Sequence, residues 1–441
     1  MNGTSESNIE PSLDLIGGPY AVIESDPGVF SSLARGLGVK RIELVELYDI
    51  EPWAVDHLDP YGLIFCFTWH KDVHRPTDFD DPAAERVWFA NQLSDDACAT
   101  HALLNVLFNC PDLDLGEELR EFRQETQDFS AVMRGLAITN SPLFRRTHNS
   151  LARPADIRAS LNSIATNVME SKKKGSLKPS AKGKPGRPPK SSKTTKSEKV
   201  KKQDNADEND TPTYHFVGYV PAFGKVWELD GMKSGPLEVG ELPSESGRDG
   251  WMDVARPALR LKMAKYGGSG LEDSDIRFSL LAIVQDSLSR VADELEFLRK
   301  DKEKIESLLE QGDSLLQVDS VLLQHAQAIF KCDILDGYEH PSGFAGRRMQ
   351  RDRDLMQMSQ SDLVLAWKNV IQDGVRAKTA LEDEITKCAQ VQTEHLKRTF
   401  DYEPFFREFI TELHTQGLLN PLLNLDENGR KVKQTKRQKS D

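Results

Sequence analysis

Apolar positions in this chain fall into runs of two kinds, unbroken short stretches and long periodic stripes. Residues 61–69 (YGLIFCFTW) form an apolar, aromatic run behind Pro60, the pattern of a buried strand. Residues 214–220 (YHFVGYV) and 226–229 make a second pair of such runs, joined through Ala222, Phe223 and Gly224, which predicts a hairpin with a three- to four-residue connection. Residues 276–284 (IRFSLLAIV) predict another core strand. Between them, residues 98–108 (CATHALLNVLF) place Leu103, Leu104 and Leu107 at helical spacing. Ser94, Asp95 or Asp96 supplies the expected cap, which puts Cys98 in the first turn of a buried helix.

Beyond Asp286 the spacing becomes helical. Leu288, Val291, Leu295, Leu298, Ile305 and Leu309 recur at steps of three and four, with Lys302 at the one missing seam position. The stripe fits either an amphipathic helix packed on its own chain or an intermolecular coiled coil. Residues 361–395 predict a second long helix. Residues 402–425 gather Phe405, Phe406, Phe409, Ile410 and Leu413 toward one face, and six basic residues between Arg430 and Lys439 form a tail.

Charge separates the regions further. The chain of 441 residues carries a net −13, yet residues 171–202 hold thirteen Lys and Arg against one acid, Glu198. From about Val168 to Thr211 there is no apolar periodicity and no large apolar cluster, but many Lys, Ser, Pro and Gly, the composition of a disordered segment. No apolar run reaches the roughly 18 residues of a membrane span, and the polar N-terminus lacks the layout of a signal peptide. The five cysteines, Cys66, Cys98, Cys110, Cys332 and Cys388, form no CxxC pair. Scattered and odd in number, they argue against a disulfide framework or a structural zinc site and for a reducing compartment.

Cysteine hydrolysis needs a thiolate, an imidazole to hold and return a proton, and donors for an oxyanion. Cys98 is the cysteine placed at a helix start, where the dipole favours its thiolate. His215 lies on the strand 214–220, and Asp230 ends the next strand, where adjacent antiparallel strands can join them. Taken singly, a strand histidine is more often structural, and an Asp before Gly231 is commonly a turn residue. Gln92, six residues before Cys98, adds a side-chain amide within reach of the oxyanion.

These residues sit in recognisable segments. The run QLSDDACATHALL from Gln92 through Cys98 resembles the nucleophile motif of the ubiquitin C-terminal hydrolase family. ESDPGVF from Glu24, YHFVGYVP from Tyr214 and VWELDG from Val226 resemble its other signatures, and residues 276–284 its last core strand, in family order over about residues 19–286. The resemblance implies an α/β fold of the papain-like, knotted ubiquitin hydrolase type, followed by a mostly α-helical extension. It implies Cys98 as nucleophile, His215 as general base then acid, Asp230 as orienter of the imidazole and Gln92 as oxyanion stabiliser. The substrate implied is ubiquitin joined through its C-terminal glycine to an amine, with no cofactor and no metal. Asp95 and Asp96 depart from the commoner uncharged residues of that motif, and their charge would raise the thiol pKa if they face it.

The expected organisation is a disordered N-terminus over 1–18, a catalytic domain over 19–286 with a basic crossover insertion near 168–211, a helical extension over 287–400, a helical adaptor-docking segment over 401–425 and a basic tail over 426–441. Two long-form branches of the family carry such an extension, which docks a helical adaptor; here Phe405, Phe409 and Leu413 would face it. CATHALL from Cys98 and HNSLARP from His148 look more like the chromatin-acting, Calypso-like branch; the proteasome-associated branch is the alternative. Within the crossover, KPGRPPK from Lys184 to Lys190 resembles an AT-hook. Arg187 would enter the minor groove of A·T-rich DNA or of nucleosomes, and Lys184 and Lys190 would meet phosphates. Nuclear import and a solvated spacer are the other readings of that run. The branch places the protein in the nucleus, with the cytoplasm second. A rival of another class is a non-catalytic, DNA-tethered adaptor that only binds ubiquitin.

Overall fold

In a computed structural model of the chain, the residues described are 18–68, 81–176, 214–243, 250–266, 278–311, 327–331, 343–425 and 430–431. Six strands make one antiparallel sheet: β1 (Ile42–Glu46), β2 (Gly62–Thr68), β3 (Tyr214–Ala222), β4 (Lys225–Leu229), β5 (Leu237–Glu241) and β6 (Phe278–Gln285), in the order β1-β6-β2-β3-β4-β5. The four runs read as strands are β2, β3, β4 and β6, the interior of the sheet. They are continuous in apolar residues because both faces are covered. In β2, Ile64 and Cys66 join the cluster that includes Phe30 and Leu33 of helix α1 (Pro27–Gly36), while Leu63, Phe65 and Phe67 join the cluster on the opposite face.

The β3–β4 connection is tighter than the sequence suggests. Ala222 pairs with Lys225, so the turn is Phe223-Gly224 alone, with φ of 54° and 78°. Two positive φ values in a two-residue loop match the twist of the flanking strands. Phe223 and Gly224 belong to the connection as the sequence suggests; Ala222 does not, because it pairs with Lys225 as the last residue of β3.

A short helix α2 (Pro52–Val55) precedes β2, and helix α3 (Cys98–Leu107) lies against the sheet. Two glycines allow its close approach: a Cβ on Gly62 would stand 2.4 Å from Val106 Cγ1, and one on Gly218 would stand 2.6 Å from Val106 Cγ2. Val106 thus sits in a notch formed by neighbouring strands, which fixes the height of α3 above β3. Helices α4 (Gly116–Glu125), α5 (Ala131–Asn140) and α6 (Pro142–Asn149) follow, then α7 (Pro154–Ser176). The helix α7 runs past Val168, where the sequence pattern placed the start of disorder. Lysine is a good helix former, so a change in composition alone misplaced the boundary. The rest of the basic crossover, with Lys184, Arg187 and Lys190, lies outside the described residues, as do residues 1–17 and most of the basic tail. Helix α8 (Trp251–Tyr266) covers the second face through Trp251, Met252, Ala255 and Leu259.

The extension comprises α9 (Ser287–Gln311), α10 (Phe344–Met356), α11 (Gln360–Thr399), α12 (Glu403–Thr415) and α13 (Leu419–Leu422). The apolar stripe of α9 is covered by its own chain. Leu295, Leu298, Ile305 and Leu309 share a core with Trp367, Val370, Ile371 and Leu381 of α11. Each such side chain contributes about 1.5–3 kcal/mol when buried, and this packing replaces the alternative of an intermolecular coiled coil through that face. Lys302, the polar seam position, pairs with Glu306 at 2.9 Å, whose other oxygen accepts from Trp367 Nε1 at 3.1 Å. The far end of α11 returns to the first domain: Arg398 pairs with Glu24 at 3.4 Å and Asp26 at 3.7 Å.

Candidate active site

Cys98 is the first residue of α3, preceded by a 3₁₀ turn over Asp95–Ala97. The expected side-chain cap is not made: the cap residue of α3 is Ala97, and Ser94 makes no side-chain cap bond to the 3₁₀ turn. The N–H groups of Ala99 and Cys98 therefore act on the thiol itself and favour its anion. They are outweighed. Burial first, then the neighbouring Cys66 sulfur and the Asp96 carboxylate, push the Cys98 thiol up to about 12. Asp96 works in the direction anticipated from the sequence.

His215 and Asp230 meet. His215 Nε2 lies 2.7 Å from Asp230 Oδ1, both buried. Burial tends to raise the Asp230 pKa, but the His215 hydrogen bond and electrostatic attraction, the Met232 N–H and Lys262 together bring it below the ordinary value. A carboxylate can only accept, so the His215 proton faces Asp230 on Nε2 and the Nδ1 lone pair is left for chemistry. The imidazole also stands edge-on to Phe67, with ring centroids 5.8 Å apart. Among the described residues no hydrogen bond joins Cys98 to His215.

Gln92 is tied to the same corner. Its backbone N–H donates to Gly231 O at 2.8 Å, and its side-chain Nε2 donates to Ser94 O at 3.1 Å. Gly231 is more than a turn residue after Asp230: a Cβ there would stand 3.0 Å from Gln92 Cβ and 3.1 Å from its nitrogen. On the other side, a Cβ at Gly135 of α5 would stand 2.0 Å from Asn91 O. Helix α3 and the turn that follows it hold the preceding extended segment through amides. Asn105 accepts from Ala90 N at 2.8 Å and donates to Ala90 O at 3.2 Å, and Asn109 does the same with Trp88 at 2.8 Å each way. One helix thereby carries Cys98 and supports the backbone that leads to Gln92.

The model of the family described as ubiquitin carboxyl-terminal hydrolase, family 1, matches residues 20–264 of this chain. The chain belongs to that family. It is accordingly a cysteine-type deubiquitinase. A second model, described as ubiquitin carboxyl-terminal hydrolases, matches residues 376–419, across α11 and α12. The hydrolase is 29% identical to ubiquitin carboxyl-terminal hydrolase isozyme L5 of Dictyostelium discoideum over 92% of this chain and 94% of that protein. It is 28% identical to the Drosophila virilis hydrolase calypso over 95% of this chain and 79% of that one. Ubh-4 of Caenorhabditis elegans is 31% identical over 64% of this chain and 71% of its own length. Among solved structures, the Trichinella spiralis UCH37 catalytic domain bound to ubiquitin vinyl methyl ester aligns with a TM-score of 0.42 at 30% identity, covering 61% of this chain and 96% of that one.

In this hydrolase, several residues not singled out by sequence reasoning surround the pair on β3 and β4. Tyr219 donates to Glu228 at 2.8 Å, and Lys262 of α8 reaches the other Glu228 oxygen at 2.6 Å. Burial and the Glu228 carboxylate hold the Tyr219 hydroxyl well above its usual range. An acid at an inward position of β4 was the available signal, because a buried carboxylate requires a partner. Cys66 and Cys110 are buried and Cys388 is exposed, all as free thiols; Cys332 lies outside the described residues. Phe405 and Phe409 of α12 are 62% and 52% exposed, and Leu413 is half-buried.

The HNSLARP segment also finds a role. Thr100 Oγ1 lies 2.7 Å from His148 Nδ1, and His148 Nε2 lies 2.8 Å from Ala21 O. The carbonyl must accept, so His148 is neutral with its proton on Nε2, and Thr100 donates to Nδ1. Burial lowers its pKa from 6.5 to about 4. Above pH 6.5 the folded and unfolded rings are both neutral. Between 6.5 and 4 only the unfolded ring takes a proton, so stability falls with pH by about 3 kcal/mol from this residue alone. Urea midpoints measured from pH 7 to 4 should therefore decline more gently in His148→Gln than in the native chain, even if the variant is less stable at pH 7. Parallel declines would show that the ring already charges in the folded state.

Proposed function

We propose that Cys98 is the nucleophile, His215 the general base and then acid, Asp230 the orienting carboxylate, and Gln92, with the Cys98 N–H, the oxyanion donor. The 2.7 Å bond between His215 Nε2 and Asp230 carries this reading, because it fixes the tautomer in which Nδ1 can accept the thiol proton. The thiolate then attacks the carbonyl carbon of the ubiquitin C-terminal glycine. The tetrahedral oxyanion is met by the Gln92 amide and the Cys98 N–H, and His215 returns its proton to the leaving amine as the C–N bond breaks. Water, deprotonated by the same Nδ1, attacks the thioester and releases the ubiquitin carboxylate and the thiol. A ubiquitin vinyl methyl ester adduct mapped to Cys98 by mass spectrometry supports the assignment; mapping to another cysteine overturns it.

The resting arrangement favours a restrained enzyme. With its thiol pushed up to about 12 and no bond to His215, Cys98 is protonated at neutral pH. Substrate or partner binding must bring the imidazole to the sulfur before turnover.

For the biological setting, the first reading is hydrolysis of ubiquitin conjugates on chromatin, such as monoubiquitinated histone, in the nucleus. It rests on CATHALL, HNSLARP and the AT-hook-like residues Lys184, Arg187 and Lys190. The alternative is trimming of conjugates at the proteasome. The identities of 29% to isozyme L5 and 28% to calypso favour neither. Co-purification with nucleosomes or with proteasome subunits separates them.

The exposed rings of Phe405 and Phe409, stacked 6.0 Å apart on α12, supply the face on which a helical adaptor would dock. Phe405→Glu with Phe409→Glu should abolish stimulation by such an adaptor and leave basal cleavage of a small ubiquitin adduct within about twofold, as expected for exposed positions. Collapse of basal activity would instead make α12 part of the catalytic core.

A further inference from the structure

His101 stands one turn after Cys98 in α3 and is 1% exposed. Its Nδ1 lies 2.9 Å from Ala97 O. The carbonyl can only accept, so Nδ1 carries the proton, and burial holds the ring pKa below 6.5, leaving it neutral. That places a lone pair on Nε2, which is buried and makes no hydrogen bond, although the Gly135 backbone of α5 is close enough to act on the ring. An apolar residue would fill this helix position without stranding a polar atom. The Nδ1 bond to Ala97 O, 2.9 Å long, therefore calls for an explanation beyond packing.

Its acceptor supplies one. Ala97 O and the Cys98 N–H belong to one planar peptide unit, so fixing the oxygen fixes the direction of the N–H at its other end. The N–H groups of Cys98 and Ala99 both act on the Cys98 sulfur. An oxyanion donor stabilises only when aimed at the place where charge develops.

We propose that His101 is a positioning residue for the reaction: its Nδ1–H locks the Ala97–Cys98 peptide so that the Cys98 N–H is aimed at the oxyanion. The inference rests on the assignment of Cys98 as nucleophile. It deepens that assignment by giving a role to a side chain that never touches the substrate.

Three substitutions test it. In His101→Asn the side-chain Nδ2 occupies the place of Nδ1 and keeps the donor. His101→Leu and His101→Met fill the volume without one, the second as a more adaptable filler should leucine lower the thermal transition. The donor-less variants should lose roughly 10- to 30-fold in kcat, less than the 10²–10³ seen when an oxyanion donor is removed outright. KM and the Kd for ubiquitin should stay within about twofold, and affinity for ubiquitin aldehyde, whose thiol adduct is tetrahedral, should fall in step with kcat. Alkylation of Cys98 by iodoacetamide, followed peptide by peptide to separate it from Cys388, forms no oxyanion and should slow by no more than about threefold, since the Ala99 N–H still acts on the sulfur. His101→Asn should restore kcat to within about threefold of native. Native kcat in the leucine and methionine variants overturns the proposal. So does an alkylation rate that falls with kcat, or an asparagine variant as impaired as leucine. An adduct of ubiquitin aldehyde on a cysteine other than Cys98 would instead overturn the nucleophile assignment itself.

Discussion

Cys98→Ala should reduce kcat/KM on a fluorogenic ubiquitin substrate by ~10⁵-fold or more and abolish labelling by electrophilic ubiquitin probes, while leaving ubiquitin affinity within a few-fold. The competing cysteines are poorly placed to take over. Cys66 lies within β2, where burial pushes its thiol up to about 12, with Ser25 bonding it only weakly against that trend. Cys110 sits just beyond α3 with its sulfur 3.3 Å from Val106 O and 3.5 Å from Tyr61 O. Cys388 is exposed within the long helix α11 and not at a helix start. The native thiol is half-buried and protonated, so a missing sulfur should disturb packing little, and the loss should fall on kcat. Residual turnover above ~1% of native would exclude Cys98 as the attacking group, because no other nucleophile shares the start of α3.

The strands were legible in the sequence because the sheet is covered on both faces. Residues 61–69, 214–220, 226–229 and 276–284 are interior strands, where an unbroken apolar run is what double burial requires. Cys98 at a helix start followed from the leucine spacing of α3. The stripe on α9 was legible too, but its partner was not: periodicity marks a face that must be covered, without saying whether α11 or a second molecule covers it. Less visible still was what depends on contacts distant in sequence. Gly135 and Gly231 enclose the Asn91–Gln92 backbone from two elements, and neither carries a local sign of doing so. Asn105 on α3 and Asn109 just beyond it look like ordinary polar positions until the backbones of Ala90 and Trp88 are found bonded to them. The cap that Ser94 does not make shows the same limit. Serine and aspartate favour a helix start, but here the helix begins at Cys98 behind a 3₁₀ turn, and Asp96 acts on the thiol instead.

His215→Ala should lower kcat/KM by ~10⁴-fold or more, Asp230→Asn by roughly 10²–10⁴-fold, and the double variant no further than His215→Ala alone. The ordering follows from what each group does. Without His215 there is no acceptor for the thiol proton, and a thiol pushed up to about 12 supplies almost no thiolate unaided at neutral pH. Without the Asp230 charge the ring survives, but its orientation and tautomer are no longer fixed by the 2.7 Å bond to Nε2. Asparagine keeps the size of the side chain, so Tyr219, Glu228 and Lys262 beside it should hold their places. Acid should have a related effect in the native enzyme. Asp230 lies below its ordinary range in the fold, so its contribution to stability is complete above pH ~4 and is lost only as pH falls through the depressed value. A fall in activity between pH 7 and 5 therefore cannot come from protonating Asp230 and must come from another group. The decisive measurement is the mutant cycle on kcat/KM. If the two single losses multiply in the double variant, His215 and Asp230 act independently and the pair on β3 and β4 is structural.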